Sequence, residues 1–373
     1  MKIIIVMPLG EQRGGGELML SDLMQQGRNP GVEWLVIFLE DGPMVEQVRK
    51  LGIDARVIDS GRLREPHLFI AAVTKIASIA RREQANAIVG WMWKAHLYGS
   101  LAAILAGVPS LWYQLGVPSD MNLLERIATI LPGQGVVTLC KAGEQAHAQM
   151  WPSRPTRLVY PGVALERFDT SVMLAPAAAR RQLGLPSDGP LIGIVGRLQQ
   201  WKGMHVLVEA MPNVLQSYPD AHCVIVGGKH DLEPDYLNYL EERIAVLGLG
   251  DRVILSGLQR NVPEWMQAMD VVVHASNNEP FGIVVVEAMA LGKPVVAGAA
   301  GGPTEIITDG VNGLLTPYGD AHALATAILR YLDNPEFARN VGAAAQKRAL
   351  DFSTQRYAQK FIEAVCDLVP SVS

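Results

Sequence analysis

The chain has 373 residues, of which 49% are hydrophobic and 18% charged, and its formal net charge is −5. That length implies two domains of ordinary size and a soluble α/β protein with large cores, while the acidic balance argues against a nucleic-acid partner. Three cysteines, Cys140, Cys223 and Cys366, lie too far apart for a metal or redox motif, as expected in a reducing cytoplasm. Residues 1–170 carry 17 basic and 16 acidic side chains and the remainder 15 and 21. The relatively basic first half includes Arg62, Arg64, Arg81 and Arg82, read as a solvated helix and loop rather than a membrane-docking face.

Residues 2–7 form an apolar run that reads as a strand, and no cleavable signal peptide is visible before it. A Gly-rich loop from Leu9 to Glu17 follows, then a helix through Leu18, Leu20 and Leu23. Glycines there let the backbone approach a phosphate. The string is neither GxGxxG nor a P-loop, so a plain βα turn is an equal reading. Further strands are expected at 34–39, 55–58, 87–90, 110–113, 135–139 and 157–160. Helical spacing falls at 44–51, 68–82, 96–106, 122–131 and 143–150. Alternating βα units of this kind build a doubly wound parallel sheet. The longest apolar stretch, 97–113, is broken at Gly107-Val108-Pro109 and reads as helix then strand, not a membrane span. Trp91 and Trp93 are expected to pack inside rather than to present flat faces to a sugar. His96 is the one histidine of this half placed directly after a predicted strand, and on its own it reads as structural.

A Pro- and Ala-rich linker with a short helix spans 174–189. A strand at 191–196 then leads into Arg197-Leu-Gln-Gln-Trp-Lys202-Gly203, with a helix starting near Gly203. Two cations just past a sheet edge suit phosphate, Arg by bidentate contact and Lys as a mobile charge. Strands at 223–226 and 253–255 end in Gly227-Gly228 and Ser256-Gly257-Leu258, and Asp231 to Asp235 reads as a solvated loop.

The most informative stretch runs from His274 to Gly302. A strand at 270–276 passes through Asn277-Asn278-Glu279-Pro280 to Phe281-Gly282, then a helix ending near Gly292 and a strand at 295–297. This order sets the loop and the helix start at the carboxyl edge of a parallel sheet, with free N–H groups and the helix dipole facing a ligand. Glu279 and Glu287 flank that helix start, where carboxylates accept hydrogen bonds from vicinal hydroxyls. The chemistry points to a phosphorylated, hydroxyl-rich ligand such as a nucleotide sugar. The interval between them carries nothing alone, since Glu233 and Glu241 repeat it in what reads as an ordinary charged helix. Helices at 320–332, 336–350 and 355–368 close the chain.

Taken whole, the string from the apolar strand through E-P-F-G to E-A-M-A-x-G-x-P-V-V-A resembles the signature of the retaining GT-B glycosyltransferases of family 4. The match is strong over residues 193–315 and weaker over the first half. The resemblance implies α/β architecture of the GT-B type, two Rossmann-like doubly wound domains facing across a cleft. Residues 1–168 form the acceptor-side domain, joined by a C-terminal helix within 354–373, and 169–353 hold the donor. Tyr160-Pro161-Gly162-Val163, with Phe168, would be the interdomain link.

By the same resemblance Gly15 and Gly16 face the donor's diphosphate and sugar, and His96 lies near the sugar's hydroxymethyl group. Arg197 and Lys202 clamp the diphosphate, main-chain groups at Leu258 pair with the base, and Phe281, Gly282 and Ile283 set a helix N-terminus on the phosphate. Glu279 contacts the sugar ring and Glu287 holds the ribose. The chain has no strict Asp-x-Asp, so neither a metal nor any cofactor beyond the nucleotide-sugar co-substrate is expected. The implied reaction moves a hexose with retention from a nucleoside-diphosphate sugar to a hydroxyl acceptor. A UDP-sugar such as UDP-glucose comes first and a GDP-sugar second. The acceptor is a sugar or lipid-linked sugar in polysaccharide or lipid-linked glycan assembly. A cytoplasmic location is expected, and weak peripheral contact with the inner membrane face is left open. Two rivals remain, a GT-B UDP-sugar epimerase and a non-catalytic nucleotide-sugar-binding protein. The first needs more acid/base groups than His96 supplies in the first half. Intact Arg197, Lys202, Glu279 and Glu287 speak against the second. A dehydrogenase is remote, because no strand leads into GxGxxG.

Overall fold

The computed structural model describes residues 1–12, 14–27, 31–62, 64–118 and 123–369. The chain separates into two units, one of Met1–Gly162 with Thr354–Ser373 and one of Val163–Ser353. In the first, strands β1 (Lys2–Met7), β2 (Glu33–Phe38), β3 (Asp54–Val57), β4 (Ala87–Trp91), β5 (Ser110–Gln114), β6 (Gly135–Thr138) and β7 (Thr156–Leu158) form one sheet. Its order is β3-β2-β1-β4-β5-β6-β7, and every pairing is parallel. Helices α1 (Gly15–Gln26), α2 (Pro43–Lys50), α3 (Pro66–Arg82), α4 (Met92–Ala106), α5 (Leu123–Ile130) and α6 (Lys141–Ala148) connect them.

Helices cover both faces of such a sheet, so its central strands must be apolar on both sides. Ile3 to Met7 are all fully buried. Ile3, Ile5 and Met7 join one core and Ile4 and Val6 the other, as the two-residue period of a strand requires.

The second unit repeats the plan with β8 (Leu191–Val195), β9 (His222–Val226), β10 (Val253–Gly257), β11 (Val271–His274), β12 (Val295–Gly298) and β13 (Leu314–Thr316). The order is β10-β9-β8-β11-β12-β13, again with parallel pairing. Its helices are α7 (Pro176–Leu183), α8 (Met204–Ser217), α9 (Tyr236–Val246), α10 (Val262–Ala268), α11 (Ile283–Ala290), α12 (Pro303–Ile306), α13 (Ala321–Asp333) and α14 (Pro335–Ala349). The last helix, α15 (Thr354–Leu368), returns to the first unit and packs on α1 and β6. Its buried Phe361 meets Trp91 at 5.7 Å and Tyr113 at 5.1 Å. Each strand order reverses beside its first strand, between β1 and β4 and between β8 and β11. Those two reversals are the crevices where doubly wound sheets bind ligands.

Three expectations need correcting. The unit boundary falls after Gly162 rather than after residue 168. Val163 N–H donates to the Phe352 carbonyl at 2.8 Å, and the short 3-10 turn Leu165–Phe168 packs on α11 with Phe168 buried, so 163–168 belong to the second unit. Helix α4 begins at Met92, four residues earlier than spacing suggests. It is buried over most of its surface, so no polar stripe marks its start, and Met92 turns at φ +65 with no loop. His96 therefore sits a turn inside α4 instead of following the strand. Glu233 lies before α9, not in a charged helix. Strand β13, three residues long, carries too little pattern to be foreseen. Residues 13, 122 and 370–373, parts of a predicted loop and two predicted helices, lie outside the described residues.

The His96 ring stacks on Trp112 at 4.9 Å and 6°, and His147 meets the same indole edge-on at 5.3 Å. Burial, reinforced by Arg154, pushes His96 down to about 3 and His147 down to about 4. In the unfolded chain both would take a proton near 6.5. Their contribution is therefore complete above that value and is lost progressively as pH falls toward 4. Each residue contributes a slope of up to about 1.4 kcal/mol per pH unit. Thermal unfolding from about pH 7.5 to about pH 5 should show a flatter pH dependence in His96→Phe than in wild type. Equal slopes would contradict the assignment.

Candidate active site

The loops after β8 and β11 flank the second reversal and are tied together at three points. Asn277 N–H donates to the Trp201 carbonyl at 2.8 Å. Lys202, the last residue of the 3-10 turn Gln200–Lys202, donates its Nζ to Glu279 Oε2. Gly203 lies against the Ala275 carbonyl, where a Cβ would come within 2.0 Å of the oxygen. The predicted cation and the predicted carboxylate, 77 residues apart, thus form one half-buried ion pair. Lys202 Nζ also stands 4.0 Å over the Trp201 ring.

Glu279 is not a solvated loop residue, since only 13% of its side chain is exposed. The same Oε2 faces His274 Nε2 at 3.3 Å, and Ser276 Oγ is also 3.3 Å from that nitrogen. A carboxylate only accepts, so Nε2 carries the proton. Burial alone would raise the Glu279 carboxyl, but the His274 hydrogen bond and charge, with Lys202, outweigh it and hold it at about 2. It is therefore an anion and an acceptor across the neutral range. The backbone beneath it is braced by Gly302 N–H, which donates to the Glu279 carbonyl at 2.7 Å.

Downstream, the Phe281 side chain points inward and meets Phe352 at 5.4 Å, leaving its backbone at the site. Gly282 caps α11 at φ +103, a left-handed conformation that disfavours a side chain. Val285 and Val286 N–H donate to the Gly282 carbonyl at 2.9 and 3.4 Å, whereas the N–H groups of Ile283 and Val284, at the very start of α11, have no acceptor within the helix. Glu287 is half-buried on the next turn. Leu258, directly after β10, is 80% exposed. Arg197 is exposed, with Nη1 3.3 Å from His230 Nε2. The loop after β9 is bound to Arg197's own loop, because Leu198 N–H donates to the Gly228 carbonyl and Glu233 accepts from Gln200 N–H at 2.7 Å.

In the first unit the Gly15–Gly16 turn opens α1 beside the β1/β4 reversal. Trp91 Nε1 donates to the Gly16 carbonyl at 3.0 Å, which also gives the buried indole its partner. His96 is separate from this turn, with 1% of its surface exposed. The structure thus gathers Arg197, Lys202, Glu279, Phe281, Gly282 and Ile283 at one sheet edge. Sequence reasoning missed His274, His230, Glu233 and Trp201. His274 carried a visible signal, being a histidine at the end of a buried strand on the ligand edge.

The family profile described as "Glycosyl transferases group 1" matches residues 177–348. A D-inositol 3-phosphate glycosyltransferase of Streptosporangium roseum is 30% identical over 326 residues, 80% of this chain and 74% of that relative. The chain belongs to the group 1 glycosyl transferases. Another relative of that name, from Corynebacterium urealyticum, is 35% identical over 212 residues, 55% of this chain. The match spans only 50% of that relative's length. Among solved structures, Anabaena Alr3699/HepE in complex with UDP superposes with a TM-score of 0.84 at 28% identity, covering 98% of this chain and 100% of that one. Its complex with UDP-glucose gives 0.83 at 29% identity, over 98% and 99%. WaaG, a glycosyltransferase involved in lipopolysaccharide biosynthesis, gives 0.72 at 17% identity over 99% and 100% and shares the fold. The two parallel-sheet Rossmann-like units are those of the GT-B fold.

Two outcomes follow from this geometry. Gly301 sits at φ +66 with a would-be Cβ 2.3 Å from the Glu279 carbonyl oxygen. Gly301→Ala should cost about 1–3 kcal/mol in denaturant unfolding; a stability equal to wild type would show that the brace is slack. The Glu279 carboxyl titrates at about 2 folded against 4.5 as the ordinary value, so its contribution is present above about 4.5 and lost as pH falls toward 2. The stability advantage of wild type over Glu279→Gln should therefore shrink between about pH 5 and about pH 3. An advantage constant over that window would remove the buried ion pair from the account.

Proposed function

We propose that this protein is a retaining, metal-independent hexosyltransferase. The donor is a nucleoside-diphosphate sugar, with a UDP-sugar such as UDP-glucose ahead of a GDP-sugar. The acceptor is a hydroxyl of a sugar or lipid-linked sugar in polysaccharide or lipid-linked glycan assembly. D-inositol 3-phosphate, named in the curated relatives, joins the acceptors to be screened. The observation that carries this reading is the Lys202–Glu279 pair beside Arg197 at the β8/β11 reversal. It is supported by the UDP and UDP-glucose named in the HepE complexes.

The chemistry follows from charge. As the glycosidic bond lengthens, negative charge grows on the leaving diphosphate. Arg197, Lys202 and the N–H groups at the start of α11 would stabilise that charge without a metal, a pre-organised role. An ammonium has three donors, so Lys202 can hold Glu279 and a phosphate oxygen together. Glu279, fixed as an acceptor, orients hydroxyls of the sugar ring, and its tether to Lys202 and His274 favours positioning over nucleophilic attack. Glu287 takes the ribose hydroxyls and the Leu258 main chain the base. Gly15, Gly16 and His96 are assigned to the sugar end of the donor on resemblance alone. Among the described residues no helix is long and apolar enough to cross a membrane.

Thermal unfolding with UDP, GDP and ADP, each with a chelator present, tests the donor site. A ligand at a hundred times its Kd stabilises by about 2.7 kcal/mol, a shift of a few degrees. One nucleotide should give that shift and lose it in Glu287→Ala, while Glu279→Gln should retain binding and lose most turnover. No shift with any nucleotide, or one that needs added metal, would contradict the proposal.

A further inference from the structure

Both ring nitrogens of His230 face hydrogen-bond donors. Its Nδ1 faces the backbone N–H of Leu232 at 3.3 Å. Its Nε2 faces Arg197 Nη1 at 3.3 Å. Both neighbours are donors. A neutral imidazole has a single acceptor nitrogen and a protonated one has none, so at least one of these contacts sets donor against donor. The backbone N–H of Leu232 points at Nδ1. If Nδ1 accepts from it, Nε2 carries the proton and points at a guanidinium that also carries only protons.

The arrangement is held in place on both sides. The β8 and β9 backbones continue their pairing past the sheet edge through a Leu198–Lys229 bridge. Glu233, three residues after His230, accepts from Gln199 Nε2 and Gln200 N–H. The loops that carry Arg197 and His230 are therefore held side by side at the backbone, which keeps the imidazole and the guanidinium within reach of one another. An oxygen anion about 2.8–3.0 Å from each nitrogen fits beside a 3.3 Å N···N contact and satisfies both donors.

We propose that His230 is a donor-binding residue, giving its Nε2–H to an oxygen of the nucleotide sugar's diphosphate that Arg197 also holds. This rests on the reading that the β8/β11 edge binds a nucleoside diphosphate. It adds a residue outside the strand-Gly-Arg…Lys-Gly pattern, from the neighbouring loop, that selects for the diphosphate.

Calorimetric titration of the full chain with UDP and with uridine, chelator present, tests it in wild type, His230→Ala, His230→Asn and Arg197→Ala. His230→Ala should weaken UDP about tenfold or more, as for a lost hydrogen bond to a charged group, and leave uridine within about twofold. His230→Asn, whose amide can donate, should recover much of the loss. Thermal unfolding of each variant without ligand verifies that the half-exposed loop still folds. UDP affinity in His230→Ala equal to wild type, while Arg197→Ala weakens it, would overturn the role of His230 alone. An equal loss for uridine and UDP would make the residue a packing element and overturn it as well. Failure of the wild type to bind UDP, GDP or ADP would overturn the donor-site reading together with this inference.

Discussion

The candidate site depends on one ion pair, Lys202 with Glu279. Its members come from the loops after β8 and β11, which the strand order makes neighbours although 77 residues separate them in the chain. A half-buried pair of this kind is weak evidence of stability but strong evidence of geometry. Desolvation cancels much of its attraction, whereas removing one partner leaves a buried charge that costs about 3–5 kcal/mol. The surroundings are built to keep the pair closed. His274 donates to the carboxylate, Gly302 donates to the backbone carbonyl below it, and Trp201 lies under the ammonium.

The same arrangement explains why the site suits a diphosphate. Glu279 neutralises Lys202, while Arg197 stands exposed at the edge and the N–H groups of Ile283 and Val284 have no acceptor within α11. An empty site with two free cations would repel itself, while one with complete pairing would offer an anion little. The donor conflict at His230 fits this balance.

Much of the fold was legible because doubly wound sheets write themselves plainly. Fully buried parallel strands are continuous apolar runs, so β1 and β8 can be read almost to the residue, whereas β11 is shorter than the expected 270–276. Arg197, Lys202, Glu279 and Gly282 stand out in the sequence because they follow strand edges, and the structure brings their loops together at one edge of the sheet. What escaped depended on lateral neighbours. That Glu233 clamps Gln200 and that His230 meets Arg197 follow from β9 and β8 being adjacent, which no local pattern states, while the His274–Glu279 contact depends on how the loop after β11 folds back on the strand end. The start of α4 escaped for a different reason. A helix buried nearly all round has no stripe, and Met92 enters it through a positive φ that the residue type does not advertise. His96 was credited as a post-strand histidine, a description that fits His274 better.

The most direct test of the central claim is a crystal structure of the protein with UDP, grown without divalent metal. The account predicts the diphosphate within hydrogen-bonding distance of Arg197 and Lys202 and of the amides of Gly282 or Ile283, with the ribose on Glu287 and the base at the Leu258 backbone. A nucleotide seated elsewhere, with the Lys202–Glu279 pair and its surroundings untouched, would contradict it.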